Sequence, residues 1–274
     1  MRIEKGTRAV VTGGGSGRGR ALCHELLGRG ARVLVSDRSL QAAEATAAGH
    51  ADALAYRCDV TVPAEVFALA AEADRAFGGT DLLVNNAGVA VSGRVGNVAL
   101  DDWKWLFEIN VFGVVNGLNA FLPALRKAGK GHVLNVASAA GLTCLPMMGP
   151  YNASKAAVVA LSETLHGELQ GEGVGVTVLC PTFFRTALAD TGNARGPEWF
   201  QKIVLKLMSR DRLGAEHVAR FALDAVEARK LYALPHKDGR MFWRIKRLAP
   251  AWYAAQGKRA VETMARRIGV TPEW

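Results

Sequence analysis

Tyr151 and Lys155 stand four residues apart in the stretch Tyr151-Asn152-Ala153-Ser154-Lys155. On a helix that spacing puts both side chains on one face, one turn apart. A phenol with a free pKa of about 10 is a poor base near neutrality. A neighbouring ammonium favours the phenolate and lowers that value. Such a pair can exchange a proton with a substrate oxygen. Tyr and Lys at this spacing are more often a solvated helix face, so the reading depends on what the rest of the chain places beside them.

The elements before Tyr151 end on residues suited to holding a ligand. Residues 8–12 read as a short buried strand, followed at once by Gly13-Gly14-Gly15-Ser16-Gly17-Arg18-Gly19 and then a helical pattern from Arg20. Strand, glycine turn and helix in that order make a phosphate cradle, because glycines let the backbone approach a pyrophosphate and a helix N-terminus offers free N–H groups. The second strand, 31–37, ends at Asp37, an acid placed to accept from an adenosine ribose and to repel a 2′-phosphate. Arg38 follows and favours the opposite. Further strands are predicted over 53–58, closed by Asp59-Val60, over 81–84, closed by Asn85-Asn86-Ala87-Gly88, over 132–138, ending at Ser138, and over 175–180, closed by Pro181. Helices are predicted over 63–77, over 102–121 with Asn110 in an apolar surround, and from Tyr151 to about residue 172. A buried amide at Asn110 needs partners; backbone bonding is the plain reading and a proton relay the sharper one. Strands alternating with helices at this spacing give an α/β fold with a doubly wound parallel sheet in three α/β/α layers, whose ligands bind at the carboxyl ends of the strands.

Taken together, Thr12-Gly13-x3-Gly17-x-Gly19, Asp59-Val60, Asn85-Asn86-Ala87-Gly88, Asn110, Ser138 and Tyr151-x3-Lys155 resemble the short-chain dehydrogenase/reductase family over about residues 5–235. The resemblance implies a Rossmann-like fold and an NAD(P)-dependent oxidoreductase, with a homodimer or homotetramer built on the long helices. It implies that Tyr151 is the general acid and base, that Lys155 lowers its pKa and binds the nicotinamide ribose, that Ser138 holds the substrate oxygen, and that Asn110 holds a relay water. It implies cofactor contacts at Gly13, Ser16, Gly17, Arg18, Gly19, Asp37, Arg38, Asp59, Val60, Asn86, Ala87, Gly88, Tyr151, Lys155, Pro181 and Thr186. Ser16 in place of a basic residue, together with Asp37, favours NAD over NADP. Two departures stand out. Arg18 replaces a small apolar residue and either crowds the turn or adds a cation to the site. Pro181-Thr182 replaces Pro-Gly.

Substrate choice in the family sits in the loop after the sixth strand, here about 183–213. Phe183 and Phe184 on that lid, with Leu142, Met147 and Met148 before Tyr151, predict an apolar pocket for a lipophilic or aromatic secondary alcohol or its ketone. Arg18 and Arg38 keep an NADPH-dependent carbonyl reductase as the alternative. A dinucleotide-binding protein without catalysis, recruiting partners or membrane through its basic tail, is the reading from another class.

Composition bounds the rest. Half of the 274 residues are hydrophobic, enough for a sizeable core, and no apolar run approaching the roughly 20 residues of a membrane span is expected. The four dispersed cysteines form no metal or disulfide pattern, which predicts no metal and a reducing, cytoplasmic setting. Residues 229–267 carry 11 of the 34 Lys/Arg and 2 of the 25 Asp/Glu, so the whole net charge of +9 lies there. The expected division is one catalytic domain over 1–235 and a basic amphipathic extension over 236–274. In that extension Met241, Phe242, Ile245, Leu248 and Ala249 fall on one helical arc, opposite Arg240, Arg244 and Arg247. It is expected to pack on protein, to cap the active site, or to lie on an anionic membrane. Basic residues confined to one helical pair do not make a nucleic-acid reader.

Overall fold

A computed structural model describes residues 1–182, 194–209 and 213–272. In chain order the elements are β1 (Arg8–Thr12), α1 (Gly17–Gly28), β2 (Arg32–Asp37), α2 (Leu40–Ala47), β3 (Ala53–Arg57), α3 (Pro63–Phe77), β4 (Leu82–Asn85), β5 (Ala90–Val91) and α4 (Leu100–Phe107). A π-helical turn, Glu108–Phe112, leads into α5 (Gly113–Ala128), β6 (Gly131–Val136), α6 (Ala139–Thr143), α7 (Gly149–Glu168) and β7 (Val174–Leu179). Then come β8 (Ala194–Arg195), α8 (Glu198–Ser209), α9 (Gly214–Glu227), β9 (Tyr232–Ala233), α10 (Lys237–Leu248) and α11 (Pro250–Arg267).

Seven strands form one parallel sheet in the order β3-β2-β1-β4-β6-β7-β9. The order reverses between β1 and β4, which pair through Ala9–Leu82, Val10–Leu83 and Val11–Val84. Ligand crevices open at such a reversal. The central strands are continuous apolar runs because both sheet faces are covered. On one side Val11, Val35 and Val84 pack with Leu22 and Leu26 of α1 and Val218 and Leu223 of α9. On the other, Val10, Leu34 and Leu83 pack with Val66 and Leu69 of α3 and Phe121 of α5. α3 starts with Pro63 in its first turn and ends at Gly78, whose φ of 77° gives a left-handed cap.

The helix predicted over 102–121 runs from Leu100 to Ala128 and is broken in character by the π turn at Asn110. By length and composition this run is apolar enough to cross a bilayer, which corrects the expectation of no such stretch. Val114, Leu118 and Leu125 nevertheless pack against β6 and β7, and Phe121 packs in the cluster on α3. All four cysteines are free.

Candidate active site

A cleft of about 510 Å³ lies at the carboxyl ends of β1, β2 and β4. Asp37, Arg38, Asp59 and Val60 line one end; Gly13, Ser16, Gly17, Arg18 and Gly19 line the middle with Asn86, Ala87 and Gly88; Tyr151 and Lys155 line the other end. Cys58, Trp105 and Glu108 also face it, and nothing in their local sequence marks them. The turn is tight because the chain closes on itself. Gly13 has a φ of 63°, and a Cβ on Gly19 would lie 2.0 Å from the Gly13 carbonyl oxygen. Asn86 ties β4 to this turn, its Nδ2 donating to the Thr12 and Gly13 carbonyls at 2.9 Å each. Asp37 is fixed at the far end, with Oδ2 accepting from Gly15 N and Oδ1 from Ser39 N, each at 3.0 Å. A helix N-terminus in mid-cleft, an acid at one end and a phenol and ammonium at the other fit a dinucleotide.

Tyr151 sits in the first turn of α7, and Ser138 caps α6 at the end of β6. The Ser138 side chain lies beside the Tyr151 phenol and lowers its pKa. Its Oγ also donates to the Pro181 carbonyl at 3.3 Å and accepts from Ala140 N at 3.1 Å. Lys155 is buried, its Nζ 3.0 Å from the Val136 carbonyl and 5.9 Å from the Tyr151 ring centroid. Burial, and then the Arg18 charge, push Lys155 down to about 7. Burial raises the Tyr151 pKa; the Arg18 charge and the Ser138 side chain pull it back. Arg18, which the sequence reading left as either a crowding residue or an added cation, thus acts on the phenol as a cation beside Lys155. Burial lowers the Arg18 pKa too.

Arg18 does not crowd the glycine turn. It is Gly19 that packs on Gly13, while the Arg18 guanidinium extends across the cleft and donates through Nε to Asn86 Oδ1 at 2.9 Å. Asn110 shows the plain backbone-bonded arrangement. Its Oδ1 accepts from Val89 N at 2.8 Å, and its Nδ2 donates to Val89 O at 2.9 Å and to Ser154 Oγ at 3.1 Å. The π turn brings this amide to Val89, as the extra residue in such turns often does at functional sites.

A second cavity, of about 480 Å³, joins the first at Arg18 and Tyr151, which line both. Ser138, Pro181 and Thr182 form its inner end. Met148 lines it as expected, but Leu142 and Met147 do not. Leu142 is buried in the core with Val158 and Leu165, and Met147 packs with Trp199, Phe200 and Val261. Both side chains are used to hold the wall up rather than to face the cavity. Phe183, Phe184 and Thr186 lie outside the described residues.

The opposite wall comes from a region whose role the sequence left open. Phe242 and Ile245 of α10 and Trp252, Tyr253, Gln256 and Met264 of α11 line the cavity. Lys246 anchors α10 by donating to the Leu142 carbonyl at 2.8 Å and to Cys144 Sγ at 3.0 Å. α11 presses so closely on the loop before α7 that a Cβ on Gly257 would sit 2.9 Å from Pro146 Cγ. Of the apolar arc on α10, Met241, Phe242 and Leu248 are exposed, while Arg240 on the opposite arc turns in and donates to the Leu234 and Pro235 carbonyls.

The family profile described as short chain dehydrogenase matches residues 7–196. A 3-alpha-(or 20-beta)-hydroxysteroid dehydrogenase of Mycobacterium tuberculosis is 32% identical over 247 residues, covering 85% of this chain and 92% of its own. A 2,5-dichloro-2,5-cyclohexadiene-1,4-diol dehydrogenase of Sphingobium indicum is 38% identical over 186 residues, 67% of this chain and 74% of its own. A short chain dehydrogenase/reductase from Burkholderia phymatum, solved in complex with NAD, superposes with a TM-score of 0.84 at 36% identity, covering 90% of this chain and 95% of that one. On these matches the chain is an oxidoreductase belonging to the short chain dehydrogenase family.

Proposed function

We propose that the protein is an NAD(H)-preferring dehydrogenase that interconverts a lipophilic secondary alcohol and its ketone. The observation that carries this is the junction at Tyr151. There the phenol, beside Ser138, faces both the dinucleotide cleft and a cavity walled by Met148, Leu145, Phe242 and Ile245. The nicotinamide group, when bound, supplies the hydride acceptor or donor. Ser138 Oγ holds the substrate oxygen, and Tyr151 takes its proton in oxidation or returns it in reduction. Arg18 holds the phenol's proton loosely enough for that exchange, against a burial that holds it tightly.

Asp37, held by Gly15 N and Ser39 N, keeps its carboxylate at the adenosine end and favours NAD. Arg38 lines the same end, so the NADPH-dependent reading makes a distinct prediction: Arg38→Ala would abolish NADP turnover. The test follows nicotinamide absorbance with NAD and NADP side by side, over aryl, steroid and medium-chain secondary alcohols, with Tyr151→Phe as control. NAD-driven turnover that disappears in Tyr151→Phe is the expected result. Tight dinucleotide binding with no turnover on any alcohol would overturn it in favour of a non-catalytic binder.

We infer also that 1–235 and 236–274 work as one catalytic unit, since the extension supplies a cavity wall. Removing 236–274 is then expected to abolish turnover of a bulky alcohol.

A further inference from the structure

α10 reads Lys-Asp-Gly-Arg-Met-Phe-Trp-Arg-Ile-Lys-Arg-Leu. Gly239, Arg240 and Lys246 are spent holding it to the protein, through Thr182, the Leu234 and Pro235 carbonyls, and Cys144. That leaves Met241 and Leu248 pointing outward, 50% and 87% exposed. At 100° per residue these two lie within about 20° of each other, and the exposed Lys237 and Arg244 flank them on the same side. Arg247 is exposed beyond Arg244, over the Trp243 ring at 5.2 Å. The chain turns at Ala249 and Pro250, so Trp252, 60% exposed, continues the apolar strip onto α11. Apolar side chains facing water with basic residues along one border are the pattern of a helix lying in a lipid interface.

The strip also borders the opening of the second cavity. Phe242, Trp252 and Leu205 line that cavity and are at the same time 40%, 60% and 47% exposed, so they form its mouth. We propose that the outer face of α10 and the first turn of α11 dock on an anionic membrane, with the cavity mouth turned to the lipid. The ligand class is an anionic phospholipid headgroup for Arg244, Arg247 and Lys237, and acyl chain for Met241, Leu248 and Trp252. A lipophilic alcohol dissolved in the bilayer then enters the cavity without crossing water. Charge selects this occupant over a second copy of the chain, because a two-fold contact through this face would set Arg244 and Arg247 against their own counterparts. The exposed Leu248 and Trp252 at its centre argue against nucleic acid.

Why the mouth should face lipid rests on the lipophilic-substrate reading, but docking itself needs no substrate, so the two fail separately. The test is flotation of the full chain with phosphatidylcholine vesicles, with and without phosphatidylglycerol. Binding is expected only with phosphatidylglycerol and is expected to fall with salt. Arg244→Gln with Arg247→Gln should weaken it roughly 25-fold, about fivefold per charge. Met241→Glu with Leu248→Glu should abolish it while turnover of a water-soluble alcohol is unchanged, since neither residue lines the cavity. Vesicle recovery indifferent to phosphatidylglycerol or to these variants would overturn the proposal. So would a Met241→Glu, Leu248→Glu protein that changes its assembly state by light scattering, which would make this face a contact between copies.

Discussion

Replacing Asn110 with leucine keeps the side chain's size and removes its hydrogen bonding. Asn110 is fully buried, and its amide closes a two-way clamp on Val89, accepting from the N–H and donating to the carbonyl. Leucine would leave both backbone groups without that partner in a place water does not reach. Each orphaned group costs about 1–3 kcal/mol, so the pair costs about 2–6 kcal/mol. Ser154 Oγ also loses a donor but keeps its own bond to the Tyr151 carbonyl. A loss of that size is a large part of the 5–15 kcal/mol that holds a typical domain together. Urea unfolding of the cofactor-free proteins measures it directly. Because Val89 leads into β5, which with β8 borders the second cavity, turnover should fall as well. An Asn110→Leu protein within about 0.5 kcal/mol of the parent would refute the clamp and return Asn110 to the relay role.

Three further outcomes follow from the site's geometry. Gly19→Ala forces a Cβ to within 2.0 Å of the Gly13 carbonyl; the turn must open, and NAD affinity is expected to drop on the order of 100-fold by isothermal titration. Arg18→Met removes the charge that lowers the Tyr151 pKa. The rising limb of the kcat/KM profile for alcohol oxidation should move to higher pH, and an unmoved limb would clear Arg18 of that role. Lys155 titrates near 7 in the folded chain against 10.5 when free. The unfolded chain therefore binds more protons between those values, so stability of the cofactor-free protein rises with pH from about 7 to 10.5. The contribution is at most about 1.4 kcal/mol per pH unit. The burial cost is present in full below about 7. Lys155→Met should flatten that rise in urea midpoints taken across the window.

The cleft was legible in the sequence because its parts sit at strand ends, where a local pattern fixes both the element and the place of its last residue. Gly13, Asp37, Asn86 and Ser138 each close or follow a short apolar run, and a parallel sheet brings all such ends to one side, where the first turn of α7 adds Tyr151. The second cavity was less legible because its walls depend on which face of a helix turns inward. Leu142 and Met148 look alike in sequence, yet Leu142 fills the core and Met148 faces the cavity. The sequence left open which way the apolar arc of α10 faces. Arg240 and Lys246 find backbone carbonyls on the protein, and their bonds rotate Met241 and Leu248 out. Hydrophobic periodicity locates a helix but does not say whether a partner beyond the chain takes its apolar face.

Arg18 is where residue type and fold conflict most openly. It places a second cation beside Lys155 in a low-dielectric cleft, and the acceptors that hold the two, Asn86 Oδ1 and the Val136 carbonyl, are neutral. Two like charges on neutral partners in this cleft are a standing cost to the cofactor-free protein: the Arg18 charge adds to burial in lowering the Lys155 pKa. Two of the three carboxylates that line the cleft are committed elsewhere. Asp37 is bonded to Gly15 N and Ser39 N, and Asp59 to Thr61. A ligand's negative charge would relieve Arg18, and the helix N-terminus beside it already favours an anion. Strain held at a binding site is released on binding. On the proposed reading, the same residue that departs from the family's pattern would couple dinucleotide affinity to the proton on Tyr151, since an anion that screens Arg18 would also weaken its pull on the phenol.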